Sequence, residues 1–173
     1  MRKVIFIGTI HGFTPEKELK KILDNIKPIQ ILIEVPKEDI GKIKLDNYPP
    51  EMVFAYNYAK TNGIKVSGFD FKVRHNKIAK NEQYFDLIKK QEGIIKENRF
   101  TWKDLNKEKN LNKLIEAHGN REEFDKEEAG RRKVMLKNIR NNVLNGGTIV
   151  ILTGAGHLRF FEENFKEAEF PFR

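Results

Sequence analysis

The chain has 173 residues, 33 Lys+Arg against 25 Asp+Glu for a formal charge of +8, 39% hydrophobic residues and no cysteine. That length fits one domain, since a chain of roughly 150 residues hides about 68 to 70% of the surface it exposes when unfolded and needs no staple. The missing cysteine excludes disulfides, thiolate metal sites and thiol nucleophiles, and the single serine, Ser67, lies in an apolar run that makes it a poor hydrolase nucleophile.

Four short runs are nearly continuously apolar and rich in β-branched residues, which predicts buried strands of a parallel sheet: Lys3 to Ile7, Ile29 to Ile33, Ile64 to Phe69 and Thr148 to Leu152. Met1, Arg2 and Lys3 precede an apolar run too short for a signal-peptide core, and no stretch approaches the ~18 apolar residues of a membrane helix. The expectation is therefore a cytoplasmic protein without a membrane role. Thr14, Pro15 and Glu16 predict a helix start, with Thr14 as N-cap and Pro15 in the first turn, and Leu19, Ile22, Leu23 and Ile26 recur at helical spacing until Pro28. Residues 3 to 34 thus form a β-α-β unit. Tyr48, Pro49, Pro50 and Glu51 open a second helix that Asn62 and Gly63 close.

From Asn76 to Asn145 the pattern is helical and charged, with Asn106 to Asp125 its most polar part. No repeat, low-complexity tract or Gly/Ser linker interrupts the chain, so this segment reads as a helical insertion, at about 76–145, within one domain covering residues 1–173. Asn145, Gly146 and Gly147 lead into the fourth strand, and Leu158 to Glu167 reads as a closing helix. The fold class expected is α/β: a compact, mostly parallel sheet of at least four strands flanked by helices.

In an open parallel sheet the ligand crevice lies at the carboxyl ends of the strands. Here all four ends carry a titratable group: His11 after Gly8-Thr9-Ile10, Glu34, Asp70, and His157 after Gly154-Ala155-Gly156. Two ends share the form Gly-x-x-His, where glycine lets the backbone turn sharply or approach a ligand. Both histidines stand close before a predicted helix start, whose partial positive charge favours neutral imidazole, the form a general base or metal ligand needs. A carboxylate at Glu34, ending the apolar run Ile31-Leu32-Ile33, is costly unless paired, metal-bound or open to the crevice. Asp70 fits either a turn cap or a functional role, while His75 and His118 read as surface residues. On the last helix of the insertion, Arg131, Met135, Asn138 and Asn142 share one face and Arg132, Leu136, Ile139 and Val143 the next, so either arginine could point inward.

Taken in order, Gly8-Thr9-Ile10-His11-Gly12, the strand ending in Glu34, Arg131-Arg132-Lys133-Val134-Met135-Leu136-Lys137-Asn138 and Thr153-Gly154-Ala155-Gly156-His157-Leu158 resemble one superfamily. It joins erythromycin esterases, the TraB/PrgY pheromone-shutdown proteins, the Tiki proteases and the ChaN haem-binding proteins. The resemblance implies an α/β core in which His11, His157 and Glu34 surround a hydrolytic or metal-binding centre, and it places the helix arginine at Arg131. The chain departs by having Arg132 where the family often has Asp, and it lacks the membrane helices of many TraB-like members.

What the resemblance implies is a hydrolase of an ester or peptide bond. Water would be activated by His11, Glu34 and His157, either directly by a histidine or through a divalent metal such as manganese, cobalt or zinc. Arg131 would grip a substrate carboxylate or the oxyanion. A small-molecule or peptide substrate would lie against Gly8, Thr9, Asp70, Asn138, Gly154 and Gly156. The alternative is a binding protein of the ChaN/PrgY type that holds haem, a metal or a peptide without turnover. Nucleic-acid binding ranks last: the pI near 9.5 permits it, but the lysines interleave with acids and no nucleic-acid motif accompanies them.

Overall fold

The computed structural model describes residues 1–44, 47–71, 82–116 and 122–173. It contains four parallel strands, β1 (Arg2–Thr9), β2 (Gln30–Pro36), β3 (Lys65–Asp70) and β4 (Gly147–Gly154), ordered β1-β4-β2-β3. Helices α1 (Glu16–Ile26) and α2 (Pro50–Thr61) connect the first three strands. The insertion contributes α3 (Glu82–Asn98), α4 (Glu108–Glu116) and α5 (Glu122–Asn142), and α6 (Leu158–Asn164) follows β4. The chain is therefore α/β, with an all-parallel sheet flanked by helices and a helical insertion between the third and fourth strands.

The strand order fixes which side each helix takes. Crossovers from β1 to β2 and from β2 to β3 travel the same way across the sheet, whereas the return from β3 to β4 travels back; right-handed crossovers then place the two groups on opposite faces. The packing follows. Ile5, Ile7, Ile31, Ile33, Val150 and Leu152 meet Leu19 and Leu23 of α1 and Met52, Ala55 and Ala59 of α2. The alternate residues Val4, Phe6, Leu32, Ile149 and Ile151 meet Met135 and Ile139 of α5 and Leu158 and Phe161 of α6. Because successive side chains alternate across a strand, Glu34 continues the stripe of Leu32, and Thr153 that of Ile151, toward the α5 and α6 layer.

Two local expectations are corrected. Thr14 does not cap α1: its hydroxyl accepts from the Ile10 N–H at 2.9 Å and donates to the Ile10 carbonyl at 3.2 Å, closing the turn of residues 10–14, and α1 starts after Pro15. The closing helix ends at Asn164, not Glu167. The chain then runs back along β1, where Glu169 pairs beside Ile5 and Phe170 stacks on Phe6 at 5.0 Å between ring centres. Asn106, inside the segment read as most polar, is fully buried. His75 and His118 lie outside the described residues.

Candidate active site

The turn after β1 presents His11 at the rim. Phe13 and Thr14 N–H groups donate to the Ile10 carbonyl at 2.9 and 3.1 Å, and Gly12 adopts the left-handed φ of 71° that only glycine takes without strain. The turn faces the first helical layer, where Glu51 stands in the opening turn of α2. His11 Nδ1 lies 2.6 Å from Glu51 Oε1, and the Gly12 N–H donates to Oε2 at 3.3 Å. Glu51 is wholly buried, while about half of the His11 side chain (54%) is open. A carboxylate beside Nδ1 fixes the proton of the neutral ring there, so Nε2 carries the free lone pair.

Burial, the largest single influence on His11, acts to lower its pKa. The hydrogen bond and charge of Glu51, with the charge of Glu34, outweigh it, and the net direction is upward from 6.5. This corrects the expectation that the helix N-terminus would depress the value: α1 begins only after Pro15, and the carboxylate is far nearer.

His157 belongs to a different cluster, on the α5 side. Glu34 Oε2 accepts from the Thr153 hydroxyl at 2.6 Å and the Gly154 N–H at 2.7 Å, while Oε1 accepts from Arg131 Nη2 at 2.7 Å and faces His157 Nε2 at 3.3 Å. Burial would raise the Glu34 pKa, but His157, Arg131 and Thr153 hold it well below the usual carboxylate range. Arg131 also donates from Nε and Nη2 to the two Asp70 oxygens, at 3.1 and 2.7 Å, and from Nη1 to Glu128 at 3.1 Å. All three of its guanidinium nitrogens therefore point at protein carboxylates, which push its pKa further up despite burial. Arg132 Nε donates to His157 Nδ1 at 3.2 Å, so this ring carries its proton on Nε2, toward Glu34. Both arginines face inward, one on each stripe of α5.

The remaining sequence candidates divide. Asp70 is part of the Arg131 cluster and also accepts from the Phe71 N–H at 2.8 Å. Asn138 ties α5 to the end of β3 by donating to the Phe69 carbonyl at 3.0 Å. Thr9 is buried, its hydroxyl on the Thr153 carbonyl at 3.3 Å. Gly154 serves Glu34 through its N–H, Gly156 is exposed, and Gly8 is packed against Asn106. The sequence reading missed Glu51 and Glu128. Glu51 falls at i, i+4 and i+8 with Ala55 and Ala59, on the buried stripe of α2, and Glu128 stands one turn before Arg131. Those spacings were the available signals.

A single two-His, one-Glu metal centre does not fit these residues. Such a centre needs free lone pairs from Glu34, His11 and His157 aimed at one point. Instead Glu34 already accepts from three donors on its two oxygens, His157 Nε2 stands 3.3 Å from one of them, and the cation beside it is Arg131. Among the described residues no group of three or more His, Cys, Asp or Glu side chains is placed to hold a metal ion. Nor is any helix among them long and apolar enough to cross a membrane. No protein family, curated protein or solved structure matches the chain.

Proposed function

We propose that the chain is a hydrolase of ester or amide bonds, in small molecules or peptides, whose general base is His11 oriented by Glu51. The observation that carries this reading is the pair itself: an imidazole with Nδ1 at 2.6 Å from a wholly buried carboxylate and its ring open at the carboxyl end of the sheet. A histidine needed only for packing would not combine an exposed ring with so costly a buried partner. Motif resemblance to the erythromycin-esterase and TraB superfamily supports the same chemistry.

In this reading water lies against His11 Nε2. As its oxygen attacks the substrate carbonyl carbon, the proton passes to Nε2 and Glu51 stabilises the imidazolium, as the carboxylate does in a hydrolase triad. Collapse of the tetrahedral intermediate returns that proton to the leaving alkoxide or amine. Arg131 offsets part of the charge of Glu34, Asp70 and Glu128 beside the crevice, so that Glu51, by its hydrogen bond and its charge, is the chief influence raising the His11 pKa.

The test is turnover of activated aryl esters and short peptides by chelator-treated protein, with His11→Gln alongside. Hydrolysis that survives chelation and is lost in His11→Gln supports the proposal. Hydrolysis that requires added metal, or haem binding without turnover, would replace it.

A further inference from the structure

We infer that Asn106 is a positioning residue for the His11 turn: its side-chain amide takes the place of a neighbouring strand on the outer edge of β1, fixing Gly8, the last residue of the strand whose backbone groups face that edge before the turn. The inference rests on reading His11 as the base, but it is measurable without activity.

β4 pairs with one edge of β1, which leaves the N–H and C=O groups of alternate residues Val4, Phe6 and Gly8 along the other. Glu169 takes one group of each of the first two: its N–H donates to the Val4 carbonyl at 2.9 Å and its carbonyl accepts from the Phe6 N–H at 2.8 Å. One step further along, the Gly8 N–H donates to Asn106 Oδ1 at 3.1 Å and the Gly8 carbonyl accepts from Asn106 Nδ2 at 2.9 Å. A primary amide carries one acceptor and two donors in a plane, so it makes both bonds that a strand backbone would make. Its second N–H donates to the Trp102 carbonyl at 3.0 Å, which fixes its orientation.

Gly8 is required by this arrangement. A Cβ there would overlap Asn106 Oδ1 and Leu158. The glycine of the first Gly-x-x-His motif thus serves a side-chain clamp from the insertion and not the approach of a ligand. Only Thr9 and Ile10 lie between Gly8 and His11, and Ile10 is the pivot of the turn. Releasing the Gly8 peptide frees that pivot and loosens the His11 ring from Glu51.

Asn106 is itself held. Arg173, which pairs with Glu108 and Glu162 at 3.3 and 2.6 Å, reaches the Asn106 carbonyl at 3.4 Å, and Phe172 packs edge-on against Trp102 at 5.3 Å. The segment after α6 and the insertion therefore meet at this residue.

Three measurements on the full chain test the inference. In the wild type, Gly8 has its N–H on a buried amide and should exchange with solvent as slowly as the paired Phe6; exchange at the rate of an open amide overturns the inference. Ring-nitrogen NMR of His11, taken where the imidazole is neutral, should show one tautomer protonated at Nδ1 in the wild type and a mixture in Asn106→Ala. With an ester substrate, kcat/KM should fall on the order of 100-fold in that variant, the cost of a small misplacement. Unaltered His11 ring shifts in folded Asn106→Ala contradict the inference. If wild-type protein hydrolyses nothing, the proposed function fails, while amide exchange and ring nitrogens still decide the role of Asn106.

Discussion

His11 Nδ1 stands 2.6 Å from Glu51 Oε1, whereas the second histidine, His157, places Nε2 at 3.3 Å from Glu34 Oε1 in a separate cluster. Two histidines in matching Gly-x-x-His contexts therefore have unlike surroundings. His11 has a bound nitrogen and an open one; His157 has Arg132 at one nitrogen and Glu34 at the other. The difference originates in the strand order, because β1 hands its chain to the α1 and α2 layer and β4 hands its chain to α6 on the opposite face.

Glu51→Gln should remove the stabilisation of the imidazolium and lower the His11 pKa. General-base assistance is worth typically 10²–10⁴-fold, and a loss of kcat within that range is expected. Steady-state kinetics on the ester substrate, with circular dichroism to establish folding, checks it. A folded Glu51→Gln enzyme with wild-type kcat would contradict the assignment of Glu51.

Arg131→Met should destabilise the protein by about 3–5 kcal/mol, because it leaves the buried carboxylates of Glu34 and Asp70 without their cation. Arg131→Lys should rescue poorly, since one ammonium cannot reproduce the forked contact with Asp70 and the bonds to Glu34 and Glu128 together. Urea denaturation reads both. A change below about 1 kcal/mol for Arg131→Met would show that the network is not holding α5 against the strand ends.

Stability should fall in acid through Glu34. Its folded pKa lies far below its unfolded value near 4.5, so the unfolded chain binds the proton first. The associated stabilisation is present above about pH 4.5 and drains away as pH falls toward the folded value. Glu34→Gln should flatten this part of the stability profile while lowering stability at neutral pH. Equal acid slopes in the two proteins would contradict it.

His11 has the opposite sign. Its folded pKa is raised above 6.5, so its contribution is fully present below pH 6.5 and is lost as pH rises through the folded value. Half of the ring is open, and the effect on stability should be small. It should be visible as a difference between the wild type and His11→Gln in melts taken on either side of neutrality, and parallel profiles across that range would count against the Glu51 contact.

Gly68→Ala should destabilise β3, since a Cβ there would overlap the Val35 carbonyl at the point where the register between β2 and β3 shifts. Gly156→Ala, at an exposed position with open space around it, should cost little. A thermal-melt comparison separates them, and equal melting temperatures would contradict this account of the β2 edge.

Much of this arrangement was readable from residue order. The four apolar runs marked the strands because interior parallel strands are buried on both faces, and the groups at their ends followed from where a parallel sheet opens. A carboxylate at Glu34 needs a partner on energetic grounds, and it has three donors with His157 beside them. Other features depended on contacts that no local pattern encodes. The strand order hands β1 to the α1 and α2 layer and β4 to α6, so similar motifs give His11 and His157 different partners, Glu51 and Glu34. Asn106 meets Gly8 across 98 residues of sequence, a contact that no local pattern marks. Thr14 has the spacing of a cap, but the tight turn at Ile10 claimed its hydroxyl.

The most direct test of the account is the pH dependence of kcat/KM for ester hydrolysis in the wild type and Glu51→Gln. The wild type should show an ascending limb with an apparent pKa above 6.5, as His11 loses its proton, and in Glu51→Gln that limb should move to lower pH with a reduced plateau. Superimposable profiles, or a wild-type profile with no limb in this region, would contradict the claim that His11 paired with Glu51 is the reacting base.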